Sequence, residues 1–248
     1  MSDKMDLRVS GATVMPGGDY GRVSISGSGK IQGSLHADRI DCSGAAKVLG
    51  DVVTGCLNLS GAGKIEGSAW ATVVDISGAT KVQGDLTGED MKLSGGVKIE
   101  GNLHSKQLRM SGAVSVGAGV EAEEVYSDGV LNVAGLLNAE TIELHCGHGS
   151  AARDIGCAQL SVRKTRSSGV LRLFSRPTGY ALEVNSIEAD AVDLEYTKAE
   201  VVRARDVRIG EGCRVRRVEY TGSCQAEEGT VQELVQLNGA ALEDGMQE

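Results

Sequence analysis

His145, Cys146, His148 and Cys157 form the one cluster in this chain with metal-ligand side chains. Their spacing matches no standard zinc pattern. Gly147 and Gly149 mark the stretch as a loop, so chance proximity is the simpler reading. Lys30, Lys47, Lys64, Lys81 and Lys98 recur every 17 residues. Such a ladder of ammonium groups would suit an anionic surface or a partner groove. With Glu66 and Glu100 two positions from ladder members, it also reads as a solvated edge whose stems cover apolar surface. Arg203, Arg205, Arg208, Arg214, Arg216 and Arg217 make a basic band. Glu183, Glu188, Asp190, Asp193, Glu195 and Glu200 make an acidic band just before it. The two either neutralise each other or present a docking surface for another subunit or a membrane. No phosphate-binding P-loop, G-x-S-x-G elbow or paired acid–base signature is present. We assign no catalytic, cofactor-binding or metal residue, and no cofactor.

Whatever these residues do is set by a repeat. Ser-Gly falls at 26–27, 43–44, 60–61, 77–78, 94–95 and 111–112, a constant step of 17. Gly33, Gly50, Gly67, Gly84 and Gly101 keep the same step. So do four apolar columns, which pass through Ile65, Leu86, Val74 and Ile76. The last two columns lie two residues apart, the alternation of a strand. The unit is too short for a helix pair and misses the common helical, leucine-rich and propeller periods. It predicts an all-β fold, a single-stranded parallel β-helix (β-solenoid) of three short strands per coil. Glycine is expected at corners that need positive φ. Like residues then stack at about the 4.8 Å strand spacing. One coil cannot bury enough apolar surface to stand alone, so stability comes from its neighbours. His36 and His104 share a column four coils apart and cannot share a site. The Ser column reads as a structural corner rather than an ice-like template, because flat exposed Thr arrays are missing.

The composition agrees. Of 248 residues, 35 are Gly and 2 are Pro, which suits many tight corners and unbroken ladders. Aromatic residues are 3%, as a narrow core demands, while hydrophobic residues at 41% in strict register exclude disorder. A net charge of −9 argues against nucleic acid as a partner. The six cysteines show no framework spacing, and no signal peptide or transmembrane run is read. Reduced thiols in the cytoplasm are therefore expected.

Taken in order, residues 1–21 are a lead-in that forms either a first coil from Leu7 or a flexible arm. Residues 22–145 are the regular β-helix. Residues 146–186 are expected to be irregular coils with a protruding turn at Ser175–Gly179. Residues 187–235 resume as C-terminal coils, and 236–248 are an acidic, fraying tail. Trp70, beside the column member Ala69, should point outward. Phe174 is either a filler or a contact knob for assembly.

The unit Ser-Gly-x-x-Lys-[Ile/Val]-x-Gly-x-[Leu/Val] with its two trailing apolar positions resembles the bactofilins, bacterial polymer-forming cytoskeletal proteins. The segment Ile187 to Tyr220, with Val207-Arg208-Ile209-Gly210-Glu211-Gly212-Cys213, looks like the closing coils of bactofilin-like proteins of Bacillus and its relatives. That resemblance implies a right-handed, roughly triangular β-helix that polymerises end to end without nucleotide. It also implies scaffolding in cell shape, envelope organisation or motility. The implied partners are a second copy, as homopolymer or dimer, a paralogous bactofilin, and a peripheral membrane or envelope component at the inner face of the membrane. This chain departs from the family in its short tails and interrupted second half.

A solenoid ends in an unpaired strand edge and an open apolar core. The expected assembly surfaces are Leu7 and Val9 at one end, Val218, Tyr220, Val231 and Leu234 at the other, with Phe174 as the knob. Two other classes compete. A left-handed β-helix acyltransferase would use six-residue repeats and 18-residue coils, which the 17-residue step does not fit. An exported adhesin or carbohydrate-acting β-helix would carry a signal peptide or a carboxylate cluster.

Overall fold

The computed structural model describes residues 4–146, 149–164 and 179–237. These residues contain twenty strands and no helix. Among the described residues no helix is therefore long and apolar enough to cross a membrane. Every pairing is parallel, and the chain winds as a β-solenoid of about 13 turns with ~17 residues per coil. At about 4.8 Å per rung the rod is roughly 60 Å long.

The regular part alternates short and long strands. The short ones include β4 (Ala45–Val48), β6 (Ala62–Ile65), β8 (Ala79–Val82) and β10 (Gly96–Ile99). The long ones are β5 (Val52–Leu59), β7 (Ala69–Ile76), β9 (Leu86–Leu93) and β11 (Leu103–Met110). Each long strand covers two of the three sides expected for a coil. In β5 the inward residues are Val52, Thr54, Leu57 and Leu59. The step of three between Thr54 and Leu57 is where the strand bends, at Gly55. One coil thus offers six inward positions, such as Thr80, Val82, Leu86, Gly88, Met91 and Leu93, all buried. Four of these belong to the apolar columns of the repeat. The other two columns carry small residues for several rungs, and sequence reading missed them because they look polar or featureless. One runs through Gly63, Thr80 and Val97, the other through Ala71, Gly88 and Ser105.

Glycine serves the corners for a different reason than expected. Among the described glycines only Gly18, Gly33, Gly149, Gly212 and Gly229 have positive φ. The Ser-Gly glycines do not. A Cβ placed on Gly61 would lie 1.8 Å from the Gly44 carbonyl oxygen, and one on Gly78 would lie 1.8 Å from that of Gly61. Backbone stacks directly on backbone there, and any side chain would wedge the coils apart. The next corner along the coil holds a hydrogen-bond ladder. The Asp51 amide donates to Ser34 Oγ (3.2 Å), Ser68 to Asp51 Oδ1 (2.8 Å) and Asp85 to Ser68 Oγ (3.1 Å). Asn102 then donates to Asp85 Oδ1 (2.7 Å) and Gly119 to Asn102 Oδ1 (3.0 Å). Each rung's side chain satisfies an amide that the turn leaves without a ladder partner.

The lead-in joins the ladder as β1 (Leu7–Val9) and β2 (Ala12–Ile25), which pairs with β3 (Ser28–Cys42). The long strand β14 (Glu124–Cys146) pairs with β15 (Ser150–Lys164), and β15 pairs directly with β16 (Leu182–Leu194). Residues 150–164 are therefore an ordinary coil inside the interval expected to be irregular. Most of the proposed protruding turn, and Phe174 with it, lies outside the described residues. The ladder continues through β17 (Thr197–Ile209), β18 (Arg214–Tyr220), β19 (Cys224–Ala226) and β20 (Val231–Gln236). The tail from residue 238 is likewise outside the described residues.

Candidate assembly site

The strand edges at the two ends follow from the winding itself. Among the described residues β1 pairs only with β2, β19 only with β17 and β20 only with β18. The N-terminal edge carries Leu7, half-buried, and Val9, 4% exposed. The C-terminal edge carries Val231, half-buried, and Leu234, 52% exposed. Tyr220 is half-buried against the core one rung further in. Val218 does not belong to the surface where it was expected. It stacks between Val202 and Leu234 and is fully buried, because β20 adds one more rung over it.

The residues of metal-ligand type do not converge among the described residues. His145 and Cys146 are neighbours in a strand and point to opposite faces. His145 Nε2 lies 2.6 Å from Glu143 Oε1, with its ring centroid 5.4 Å from that of Tyr126. Cys146 is fully buried, and burial pushes its thiol up. Cys157 stands in a small-residue column on another side of the coil, where burial pushes its thiol to about 12. His148 lies outside the described residues. Among the described residues no group of three His, Cys, Asp or Glu side chains is placed to hold a metal.

The Lys ladder is largely neutralised. Lys47 and Lys64 share Glu66, at 2.9 and 2.8 Å. Lys81 and Lys98 share Glu100, at 2.8 and 3.9 Å. The hydrogen bonds from Lys64 and Lys47 hold Glu66 at about 2, below the usual carboxylate range. Stacking like charges about 4.8 Å apart is repulsive, and one carboxylate between two ammonium groups offsets it.

The Arg and acidic bands interlock across successive coils. Arg203 bridges Glu188 and Glu219 at 2.8 Å each, and Arg217 holds Glu219 at 2.6 Å and Glu233 at 3.2 Å. Asp193 sits between Arg163 and Arg208. Burial alone would raise the Asp193 carboxyl, and the two guanidinium groups bring it below its ordinary value. A shallow groove of about 500 Å³ crosses this region past Glu143, Gln159, Asp193 and Arg208. Its Asp193 and Arg208 are already paired with each other.

One stretch of the surface is apolar instead. Trp70 points outward, as its place beside Ala69 predicts, and is 48% exposed. Its rung neighbour Val53 is 39% exposed and Val73 is 40% exposed.

The chain is 40% identical over 88 residues to the uncharacterized protein YhbE of Bacillus subtilis, covering 35% of this chain and 36% of that protein. It is 38% identical over 93 residues to the uncharacterized protein YhbF of the same organism, covering 37% of each. The chain thus spans about a third of the length of the curated relatives it matches. No family model and no solved structure matches it.

Proposed function

We propose that this chain is a non-enzymatic scaffold that assembles end to end through its terminal coils, without nucleotide. The roles to which we assign it are cell shape, envelope organisation or motility. The observation that carries the reading is the state of the two ends. The parallel ladder runs through the described residues with outermost strands paired on one side only. Leu7, Val231 and Leu234 lie there unburied or half-buried, with Tyr220 half-buried one rung further in. An open strand edge with apolar residues behind it is a template for another strand. The resemblance of the repeat to bactofilins supports the same reading. On it the partner is a second copy or a paralogous bactofilin, with a peripheral membrane or envelope component at the inner face of the membrane. The protein then works in the cytoplasm, and its charge of −9 disfavours nucleic acid.

Negative-stain electron microscopy of the purified chain tests this. Filaments are expected, and Leu7→Glu or Leu234→Glu should abolish them while β-rich circular dichroism persists. Discrete trimers or monomeric rods from the parent chain would overturn the reading.

A further inference from the structure

The apolar stretch around Trp70 has no role in the ends, since it lies on the side of the rod. Trp70 is the chain's single tryptophan. It belongs to an outward column that runs Asp19, His36, Val53, Trp70, Thr87, His104. The two central residues are apolar, and at the N-terminal end of the column His36 Nδ1 meets Asp19 at 3.1 Å. The next column, at the corner just past the Gly55 bend, runs Arg39, Cys56, Val73, Asp90. Arg39 has 47% of its side chain exposed and shares Asp41 with Arg22, at 2.9 and 2.7 Å, so this cluster keeps one net positive charge. Asp90 is exposed and makes no ion pair among the described residues.

We propose that this side of the rod is a lateral contact with a second copy of the same chain, packed antiparallel about a two-fold axis between the Val53 and Trp70 rungs. The charges select that arrangement. With the axis there, Val53 opposes Trp70 of the second copy and Cys56 opposes its Val73. The net-positive Arg22–Arg39–Asp41 cluster then faces its Asp90. A parallel, in-register contact would set Arg39 against Arg39 and Asp90 against Asp90, which is repulsive. A two-fold contact is self-complementary, so each favourable pair occurs twice. The apolar area is well under the ~800 Å² per partner of a stable interface, so a lone pair of rods associates weakly. Rods joined in series would add such contacts along their length.

The test uses the full chain carrying Leu234→Glu, which separates this contact from assembly at the ends. Sedimentation velocity is run up to about 1 mM, alongside Trp70 emission. A monomer–dimer equilibrium is expected, with the emission shifting to shorter wavelength as dimer forms. Trp70→Lys should abolish the dimer with circular dichroism unchanged. Arg39→Glu and Asp90→Arg should each weaken it about fivefold to tenfold. The two together should restore it to within about twofold of the parent. A chain that stays monomeric throughout, a dimer whose Trp70 emission does not move, or a double variant no better than the singles would each overturn the proposal. Failure of filaments to form in the parent chain would instead count against the end-to-end reading alone.

Discussion

Tyr20 and Tyr220 occupy the same inward column of the solenoid, near its opposite ends. Tyr20 pairs with Ala37 and Tyr220 with Ala204, and both rings pack half-buried against the core. Between them the column holds small residues such as Ala71, Gly88 and Ala139. An interior rung has neighbours on both sides, and at Gly88 even a methyl group would meet Met91 Cε at 3.1 Å. Beyond Tyr20 the stack continues only through Lys4 and Met5, whose carbonyl accepts from the Gly21 amide at 3.0 Å, and beyond Tyr220 it has one further position, at Gln236. Rings fit only where the stack runs out.

Tyr20→Ala and Tyr220→Ala should therefore be tolerated sterically and act locally. Each loses about half the burial of an aromatic side chain, about 1–2 kcal/mol. Hydrogen exchange should speed up in β1 and β2 for the first variant and in β18 and β20 for the second. The amides of β7 and β9 should keep their protection.

Gly61→Ala should cost about 3 kcal/mol or more, because its Cβ would fall 1.8 Å from the Gly44 oxygen. Gly96→Ala is the control. It has nothing within 4 Å and no positive φ, so it should be neutral or stabilise by about 0.4–1 kcal/mol. Urea denaturation midpoints separate the two.

Thr80→Val should raise stability by about 1 kcal/mol. Thr80 is 4% exposed, and its Oγ1 is buried without a hydrogen-bond partner. An isosteric methyl removes the cost of the stranded hydroxyl, and Val97 already fills the next rung of that column. A lowered thermal midpoint would count against this account.

Asp85→Ala should cost about 1–2 kcal/mol by stranding the Asn102 amide, which now donates to Asp85 Oδ1 at 2.7 Å. Asp85→Ser should recover most of that, since Ser68 and Ser34 do the same work one and three rungs away. Thermal melts of both variants distinguish lost hydrogen bonding from lost charge.

Stability should fall as pH drops from about 5 to about 2. Glu66 and Asp206 are each held at about 2, the first by Lys64 and Lys47, the second by Arg205 and Ser223. A lowered folded-state pKa means that the stabilisation is complete above the ordinary carboxylate range. It is lost as protons fill the folded-state carboxylate. Thermal midpoints against pH should show this fall, and Glu66→Gln should flatten part of it.

The sequence by itself determined the architecture. A step of 17 repeated through Ile65, Leu86, Val74 and Ile76 can be satisfied only if equivalent residues stack, because each coil's backbone hydrogen bonds and burial come from the coils beside it. It also placed Trp70 outside. Tertiary structure decided what the columns mean at each rung. Gly61 is a glycine because Gly44 lies over it, a fact of packing that φ preference does not contain. Val218 is core because β20 adds a rung beyond it, which a degenerate final repeat conceals. The Arg and Glu bands interlock as ion pairs only when steps of 15 and 16 bring Arg203 between Glu188 and Glu219. Periodicity states which residues are equivalent. Winding alone states which of them touch.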